Sequence, residues 1–245
     1  TVGAASGTGT INDDDAAPTI QSVTAATQVE GTALVHTVTL TNASSSSTSF
    51  AYTLGGGSAT SGTDYTNPPT FSNGVTLVAG NLIVPAGVTS FTVTVPTTLD
   101  TIDEGASENY NLSVGGVAAT GTITDDDNAP TIASVSSASA VEATSIVHTV
   151  TLSNASSSNT TYTLSLADVS ATGGGTDYTS TLTSAAFSNG VTIAAGIITV
   201  PAGVTSFTVT VPTTADTIDE ANETYTLTVG AASGTGTIND DDAAP

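Results

Sequence analysis

The sequence contains a long internal duplication, and this feature restricts the chain to folds built from repeated modules. The string PAGVTSFTVTVPTT stands unchanged at 85–98 and 201–214. The string VHTVTLTNASSS at 35–46 returns at 147–158 with one Thr-to-Ser difference. Such a sequence is expected to form consecutive copies of one domain rather than a single mixed core.

The end of each repeat marks where the modules divide. Three aspartates followed closely by Ala-Pro end each repeat, which divides the chain into residues 19–130 and 131–245. Residues 1–18 are identical to residues 228–245 but not to residues 113–130. We therefore interpret residues 1–18 as the C-terminal strand and acidic linker of a preceding repeat. We expect the chain to be part of a longer protein that alternates the two repeat types.

Apolar and polar residues alternate within each repeat, which predicts strands with one buried face. Phe91, Val93 and Val95, for example, alternate with Thr92 and Thr94. Turn signals such as Asn-Gly, Ala-Gly and Gly-Gly separate these segments at the intervals typical of a sandwich or barrel. The sequence therefore predicts an all-β fold with about seven to nine strands per repeat and very little helix.

The charge of the chain excludes several classes of function. The 245 residues include 22 acidic residues, two histidines and no lysine or arginine, for a formal net charge of -22. Nucleic-acid binding needs a basic surface, and anionic membranes repel such a chain, so neither partner is predicted. The absence of cysteine excludes disulfides and thiolate metal sites. No apolar run is long enough for membrane insertion.

The acidic residues are concentrated at a few places in each repeat, each beside a predicted strand end or turn. In the first repeat they are Glu30, Asp64, Asp100, Asp103, Glu104, Glu108, Asp125, Asp126 and Asp127. In the second they are Glu142, Asp177, Asp216, Asp219, Glu220, Glu223, Asp240, Asp241 and Asp242. Asp13–Asp15 end the preceding repeat, and only Asp168 stands apart. Loops that meet at one end of a sandwich would bring these carboxylates together.

Such a cluster must be solvated, protonated or neutralised by a metal, because the chain has no lysine or arginine to offset its charge. Two carboxylates about 5 Å apart repel by roughly 3 kcal/mol at an effective dielectric of about 20. Oxygen donors without cysteine select hard cations, and Ca²⁺ takes about six to eight oxygens. We predict two to four Ca²⁺ per repeat at its C-terminal end. The alternative is a solvated acidic rim that protects against aggregation.

The succession of motifs resembles the Calx-beta domain family. The residues that carry the resemblance are GTDYT, LIVPAGVTSFTVTVP, DTIDEANETYTLTV and GTGTINDDD, and it covers both repeats. The resemblance implies an immunoglobulin-like antiparallel β-sandwich that binds clustered Ca²⁺ at one end. It implies these ligands: Glu30, Asp64, Asp100, Glu104, Glu108, Asp125, Asp126, Asp127, Glu142, Asp177, Asp216, Glu220, Glu223, Asp240, Asp241 and Asp242.

The chain departs from the family pattern at three places. The first repeat has one extra residue between Glu104 and Glu108. Both repeats insert FSNGVT and an Ala-Gly pair before the next strand, which predicts an extra hairpin. Asp103 and Asp219 stand where the family usually has an apolar residue.

The remaining residues that could do chemistry are expected to be structural. His36 and His148 occupy matching strand positions and are predicted to be partly buried and hydrogen-bonded. Tyr65 and Tyr178 are predicted to be core rings. The sequence has no G-x-S-x-G or H-E-x-x-H motif, so no enzymatic activity is predicted.

Three functions are compatible with these features. Tandem arrays poor in Lys and Arg and rich in Ser and Thr resemble the extender regions of large bacterial surface adhesins. That resemblance implies a calcium-stiffened structural spacer at the extracellular cell surface, whose partners are the neighbouring repeats. The alternative is a repeat subunit of a self-assembling extracellular filament or surface layer, in which residues 1–18 complete an identical subunit by strand addition. A weaker alternative is a glycan- or ice-binding module.

Overall fold

The computed structural model describes residues 3–4, 6–105 and 107–245, and these residues form two compact β units. Unit 1 contains residues up to 99 together with 108–124, and unit 2 contains residues 100–107 together with 125–245. The described residues contain no α-helix, only a single 3-10 turn at Ser184–Ala186. No described helix is long and apolar enough to cross a membrane.

Unit 1 is a sandwich of two sheets. The first sheet has the order β1 (Ile20–Val23), β3 (Leu34–Leu40), β8 (Ser90–Val95), β5 (Thr70–Phe71). The second has the order β2 (Ala26–Val29), β11 (Val117–Thr124), β10 (Glu108–Val114), β4 (Thr48–Gly55), β7 (Asn81–Val84), β6 (Thr76–Val78). Alternate residues such as Phe91, Val93 and Val95 are buried between the sheets, as the period of two predicts.

Unit 2 repeats this plan. Its sheets have the orders β12 (Ile132–Val135), β14 (Ile146–Leu152), β19 (Ser206–Val211), and β13 (Ala138–Val141), β21 (Ala232–Asn239), β20 (Glu223–Val229), β16 (Thr160–Asp168), β18 (Ile197–Val200), β17 (Thr192–Ala194). A further pair joins β9 (Ile102–Asp103) to β15 (Ala155–Ser156) in parallel.

The all-β sandwich fold is confirmed, with two corrections to its details. The sandwiches are not purely antiparallel, because β2 pairs in parallel with β11 and β13 pairs in parallel with β21. The described part of each unit also holds more strands than the expected seven to nine, because several are only two or three residues long. The inserted hairpin is confirmed in both units as β6–β7 and β17–β18. Its turn at Ala79 and Gly80 has positive φ values of 48° and 79°, as in two-residue hairpins.

The described part of the first segment, residues 3–4 and 6–18, belongs to no strand, and its assignment to a preceding repeat stays a prediction. Residues 1, 2 and 5 lie outside the described residues. The predicted hydrogen bonding of the histidines and the burial of the tyrosines are confirmed, but the histidines are more deeply buried than predicted. His36 and His148 are fully buried. The two ring nitrogens of His148 lie 2.7 Å from the Ser136 carbonyl oxygen and 2.9 Å from Tyr225 Oη. Tyr65 and Tyr178 are buried core rings.

Candidate metal centre

Strand pairing in unit 2 brings the ends of several elements to one place. Glu142 directly follows β13, and Asp240–Asp242 follow β21. These two strands run in parallel with Val141 opposite Asn239, so both acidic segments leave the sheet at the same edge. Glu223 begins the antiparallel neighbour β20 opposite Ile238, which places it at that edge as well. The sheet therefore gathers carboxylates that are far apart in sequence.

Two loops supply the other acidic residues. Asp177 lies in the loop before the buried Tyr178, and its carbonyl accepts a hydrogen bond from the Thr214 amide at 2.9 Å. Its carboxylate accepts a second one from the Thr172 amide at 2.5 Å. Asp216 follows β19, and its amide donates to Glu142 Oε2 at 3.3 Å. Backbone hydrogen bonds thus fix both loops beside the edge of the sheet.

The carboxylates of unit 2 form three overlapping groups. In each group, one carboxylate oxygen per residue lies within 4.8 Å of those of the other members. The groups are Glu142–Asp241–Asp242, Glu142–Asp216–Glu220 and Asp177–Glu220–Glu223. Glu142 and Glu220 each belong to two groups, so the three form one continuous row. Asp240 belongs to none of the three groups.

The electrostatics of this row oppose full ionisation. Burial of the Glu223 carboxyl, its hydrogen bond with Asp177 and the nearby negative charges raise the pKa of Glu223 to about 7. The pKa of Glu142 is also raised, first by burial and then by the charges of Asp216, Asp240 and Asp242. Burial and neighbouring carboxylates raise the pKa of Glu220 and of Asp242 in the same way. Without a cation, these four carboxyl groups therefore release their protons less readily than isolated carboxyl groups do.

Two buried oxygens, one of Asp242 in the row and one of Asp240 near it in sequence, favour a bound cation. Oδ1 of Asp240 and Oδ2 of Asp242 are buried and have no hydrogen-bond partner among the described residues. A buried carboxylate oxygen without a partner is costly unless a positive charge or proton reaches it. Because the chain contains no lysine or arginine, its own side chains cannot supply that charge. An all-oxygen donor set of this density fits a hard divalent cation.

The candidate ligands of the first repeat fall in both units. Glu30, Asp64 and Glu108 belong to unit 1, whereas Asp100, Glu104, Asp125, Asp126 and Asp127 belong to unit 2. Within unit 1, the buried Glu30 follows β2, as Glu142 follows β13, and its amide donates to the Thr124 carbonyl at 3.0 Å. The Asp64 carboxylate accepts a hydrogen bond from the Thr60 amide, and Glu108 begins β10.

Within unit 2, the aspartates of the first repeat organise their own backbone. Asp125 Oδ2 accepts the amides of Glu104 and Gly105 at 3.1 and 3.2 Å. Asp125 Oδ1 accepts the Asp127 amide at 3.1 Å, so this carboxylate holds two segments together. Asp100 Oδ1 accepts the Ile102 amide at 2.8 Å. The assignment of these residues as ligands stays a prediction.

Three polar residues near the acidic segments were not singled out by the sequence patterns. Asn222 Oδ1 accepts the Asp240 amide at 3.2 Å and so positions the last acidic run. Asp168, the one acidic residue outside the clusters, accepts the Tyr178 hydroxyl at 2.6 Å. Ser156 Oγ lies 3.0 Å from Asp103 Oδ2. Asp168 lies directly opposite Tyr225 because β16 pairs with β20, and the sequence alone does not show this pairing.

Comparison with known proteins agrees with the motifs. The family model described as "Calx-beta domain" matches residues 13–120 and 125–242. No curated protein matches the sequence significantly.

Solved structures give weaker matches. The calcium binding domain CBD12 of CALX1.1 aligns over 88% of this chain and 80% of its own, at 14% identity and a TM-score of 0.35. CBD12 from CALX1.2 aligns over 87% and 79%, at 15% identity and a TM-score of 0.35. An I-band fragment from titin aligns over 93% and 67%, at 11% identity and a TM-score of 0.25. At these values the alignments carry no inference about function.

Proposed function

We propose that this chain, which belongs to the Calx-beta domain family, binds Ca²⁺ and acts as a structural spacer of an extracellular bacterial adhesin. The observation that carries the calcium part is the continuous row of carboxylates in unit 2, with the two buried oxygens of Asp240 and Asp242. The ion, once bound, supplies the positive charge that this chain lacks. The row would accommodate two to four ions per repeat.

The residues of the row would have different roles in binding cations. Glu142 and Glu220 each belong to two groups, so each would bridge neighbouring ions. Asp216 and Asp177 are held by backbone hydrogen bonds, which keep their remaining oxygens available for a cation. Glu223 must lose its proton to bind, because its pKa lies at about 7 in the absence of a cation.

The position of the Asp125–Asp127 run in the sequence supports the spacer role. Asp125–Asp127 are candidate ligands and also stand just before Ala129 and Pro130, the last two residues before the second repeat. Proline fixes its own φ and favours an extended residue before it. When these aspartates hold cations, little free backbone remains to bend between the repeats. When they do not, like-charge repulsion loosens the segment.

No catalytic role is proposed for the chain. Each of the two histidines is fully buried and uses both ring nitrogens in hydrogen bonds, so neither is available as a general base. Loss of a hydrolytic activity on substitution of a serine or histidine would contradict this statement.

The calcium proposal is tested on the full chain by calorimetry and native mass spectrometry. Two to four Ca²⁺ should bind per repeat, and each independent site should add about 2.7 kcal/mol to the free energy of unfolding at 100-fold excess over Kd. An unchanged melting temperature after removal of calcium at neutral pH would mean that the row is only a solvated acidic rim.

The spacer proposal needs separate measurements. Small-angle X-ray scattering should give a longer and narrower distance distribution with calcium than with chelator, and Asp126→Asn with Asp127→Asn should resemble the chelated chain. An unchanged distribution in both comparisons would remove the stiffening. Antibody labelling of intact source cells tests the extracellular location, and labelling only after lysis would contradict it.

The alternative filament function is favoured by one observation. Residues 6–12 form no strand here, although the same sequence at residues 233–239 lies in β21 of unit 2. A segment that can form a strand, and that pairs with no strand among the described residues, could complete a neighbouring subunit. Calcium-dependent growth of long assemblies from the purified chain would support this second function.

A further inference from the structure

A short acidic segment docks onto a serine-rich loop within unit 2. The strand Ile102–Asp103 lies parallel to Ala155–Ser156, with Ile102 opposite Ala155 and Asp103 opposite Ser156. The Ser157 amide donates to the Asp103 carbonyl at 2.9 Å. Ser156 Oγ lies 3.1 Å from that carbonyl and 3.0 Å from Asp103 Oδ2. Asp103 and Ser156 are both buried, so their hydrogen bonds are shielded from solvent.

The docking segment has an identical counterpart in the second repeat. The sequence DTIDE stands at 100–104 and again at 216–220. Both copies have the same local turn, because the amides of Ile102 and Ile218 each donate to the aspartate two residues earlier at 2.8 Å. Residues 216–220, however, belong to no strand in the described structure. Ile218 is 60% exposed against 37% for Ile102, and Asp219 is exposed where Asp103 is buried.

The receiving loop also has an identical counterpart, in unit 1. The sequence NASSS stands at 42–46 and again at 154–158. In both copies the asparagine side chain donates to the linker before it, from Asn42 to the Ala16 carbonyl at 2.8 Å and from Asn154 to the Asn128 carbonyl at 2.9 Å. The amides of Gly87 and Gly203 bond the carbonyls of Ser44 and Ser156 at 2.9 and 2.8 Å. The two loops are therefore held in the same way.

Only one of the two loops carries a docked strand. Residues 42–46 belong to no strand among the described residues, and Ala43 is exposed. They line a groove of about 430 Å³ together with Asp13, Asp15 and Ala16–Pro18. The groove in unit 1 therefore has no strand docked in it, and residues 216–220, which match the docked strand in sequence, are not docked on any loop among the described residues.

We propose that the groove at residues 42–46 is a docking surface for the Thr217–Asp219 segment of a second copy of residues 131–245 that stands immediately before residue 19. Ile218 would lie opposite Ala43 and Asp219 opposite Ser44, in the register of Ile102 with Ala155 and Asp103 with Ser156. Because the two complementary surfaces differ, the contact is head-to-tail and can continue from repeat to repeat. The proposal rests on strand pairing and the repeat, not on calcium binding.

Disulfide trapping tests the proposal in a tandem chain, residues 1–245 followed by residues 19–245, in calcium-containing buffer. The chain has no cysteine, so engineered pairs are unambiguous. Residues in register on neighbouring strands lie about 5 Å apart, within the range that a disulfide spans. The test pair is Ile218→Cys in the first copy with Ala43→Cys in the second. The positive control is Ile102→Cys with Ala155→Cys, and the negative control joins Ile218→Cys to Val78→Cys, an exposed position of the second copy.

The test pair should cross-link to about the same extent as the positive control and at least about tenfold more than the negative control. Ser44→Ala in the second copy should reduce the test cross-link by the same factor as Ser156→Ala reduces the control. A test yield no higher than that of the Val78 pair would overturn the proposal. Failure of the Ile102–Ala155 pair would overturn it as well, because the docked strand that serves as its template would then be absent.

Discussion

Residues 1–18 and 228–245 have the same sequence, yet residues 6–12 and their counterparts at 233–239 differ in structure. In unit 2 the sequence forms β21 between β13 and β20. In the first copy, residues 3–4 and 6–18 form no strand. Ile238 is 3% exposed, whereas its counterpart Ile11 is 99% exposed. β-propensity is equal in the two copies, so the neighbouring strands and the buried face make the difference.

Amide exchange should show the largest contrast between the two copies. Intrinsic exchange rates are the same because the sequences are the same, so the ratio of rates reports protection directly. By NMR, amides of residues 233–239 should exchange at least about a thousandfold more slowly than those of residues 6–12, equivalent to about 4 kcal/mol. Equal protection in both copies would show that the first copy also pairs with a strand.

Matched glycine substitutions in the two copies should differ by a somewhat smaller amount in their effect on the free energy of unfolding. A Cβ at Gly236 would lie 2.1 Å from Cζ of the buried Tyr225, whereas one at Gly9 would meet nothing within 4 Å. Gly236→Ala should therefore destabilise unit 2 by about 3 kcal/mol, and Gly9→Ala should leave it unchanged. Chemical denaturation of both variants measures this, and equal stabilities would show that the Tyr225 ring can move aside freely.

Paired amide substitutions should show which acidic run binds calcium. Asp240→Asn with Asp242→Asn should reduce the calcium-induced stabilisation of unit 2 by about 2.7 kcal/mol per lost site at 100-fold excess. Asp13→Asn with Asp15→Asn is the control, and should leave unit 2 unaffected. Without calcium, the first variant should be no less stable than the parent, because it removes like-charge repulsion. Thermal unfolding and calorimetry measure both effects, and a calcium response identical in all three proteins would contradict the assignment.

The smallest expected effect is a pH dependence of stability that arises from Glu223, on the strand paired with β21. Because folding raises the pKa of Glu223 from 4.5 to about 7, Glu223 keeps its proton between these pH values in the folded protein but loses it in the unfolded chain. The associated stability is present below about pH 4.5 and is lost as the pH rises through about 7. After allowance for solvent screening, this amounts to about 1 kcal/mol in the calcium-free protein.

Glu223→Gln provides the matched control for this pH dependence. Burial lowers the pKa of His148, so acid destabilises the fold through that residue in both proteins. The difference between parent and variant therefore isolates Glu223. Between pH 5 and pH 8 the calcium-free parent should lose more stability than the variant, as measured by urea denaturation. Parallel pH profiles would show that Glu223 does not titrate in this range.

Much of the candidate site could be predicted from the sequence, because carboxylates confined to strand ends are visible without coordinates. Glu142, Asp177, Asp216, Glu220 and Glu223 were all identified as candidates, and the structure places them in overlapping groups. The sequence could not predict which residues share a group. That depends on the parallel pairing of β13 with β21, and no local pattern specifies it.

The fold shows the same division between local and long-range information. The hairpin at Ala79 and Gly80 was predictable because turn chemistry is local. The docking of Ile102–Asp103 on Ala155–Ser156 was not, because residues about fifty positions apart must meet.

The sequence by itself determined that the chain is a tandem all-β protein, since residue alternation, turn residues and the repeat act over short distances. It also determined that the charge of the acidic residues must be balanced from outside the chain, because the chain contains no lysine or arginine. Only the tertiary structure decided which copy of the sequence at 1–18 and 228–245 becomes a strand. A strand is stable when neighbouring strands satisfy its backbone and cover its apolar face. Gly236 can lie against Tyr225 only where β20 and β21 are paired.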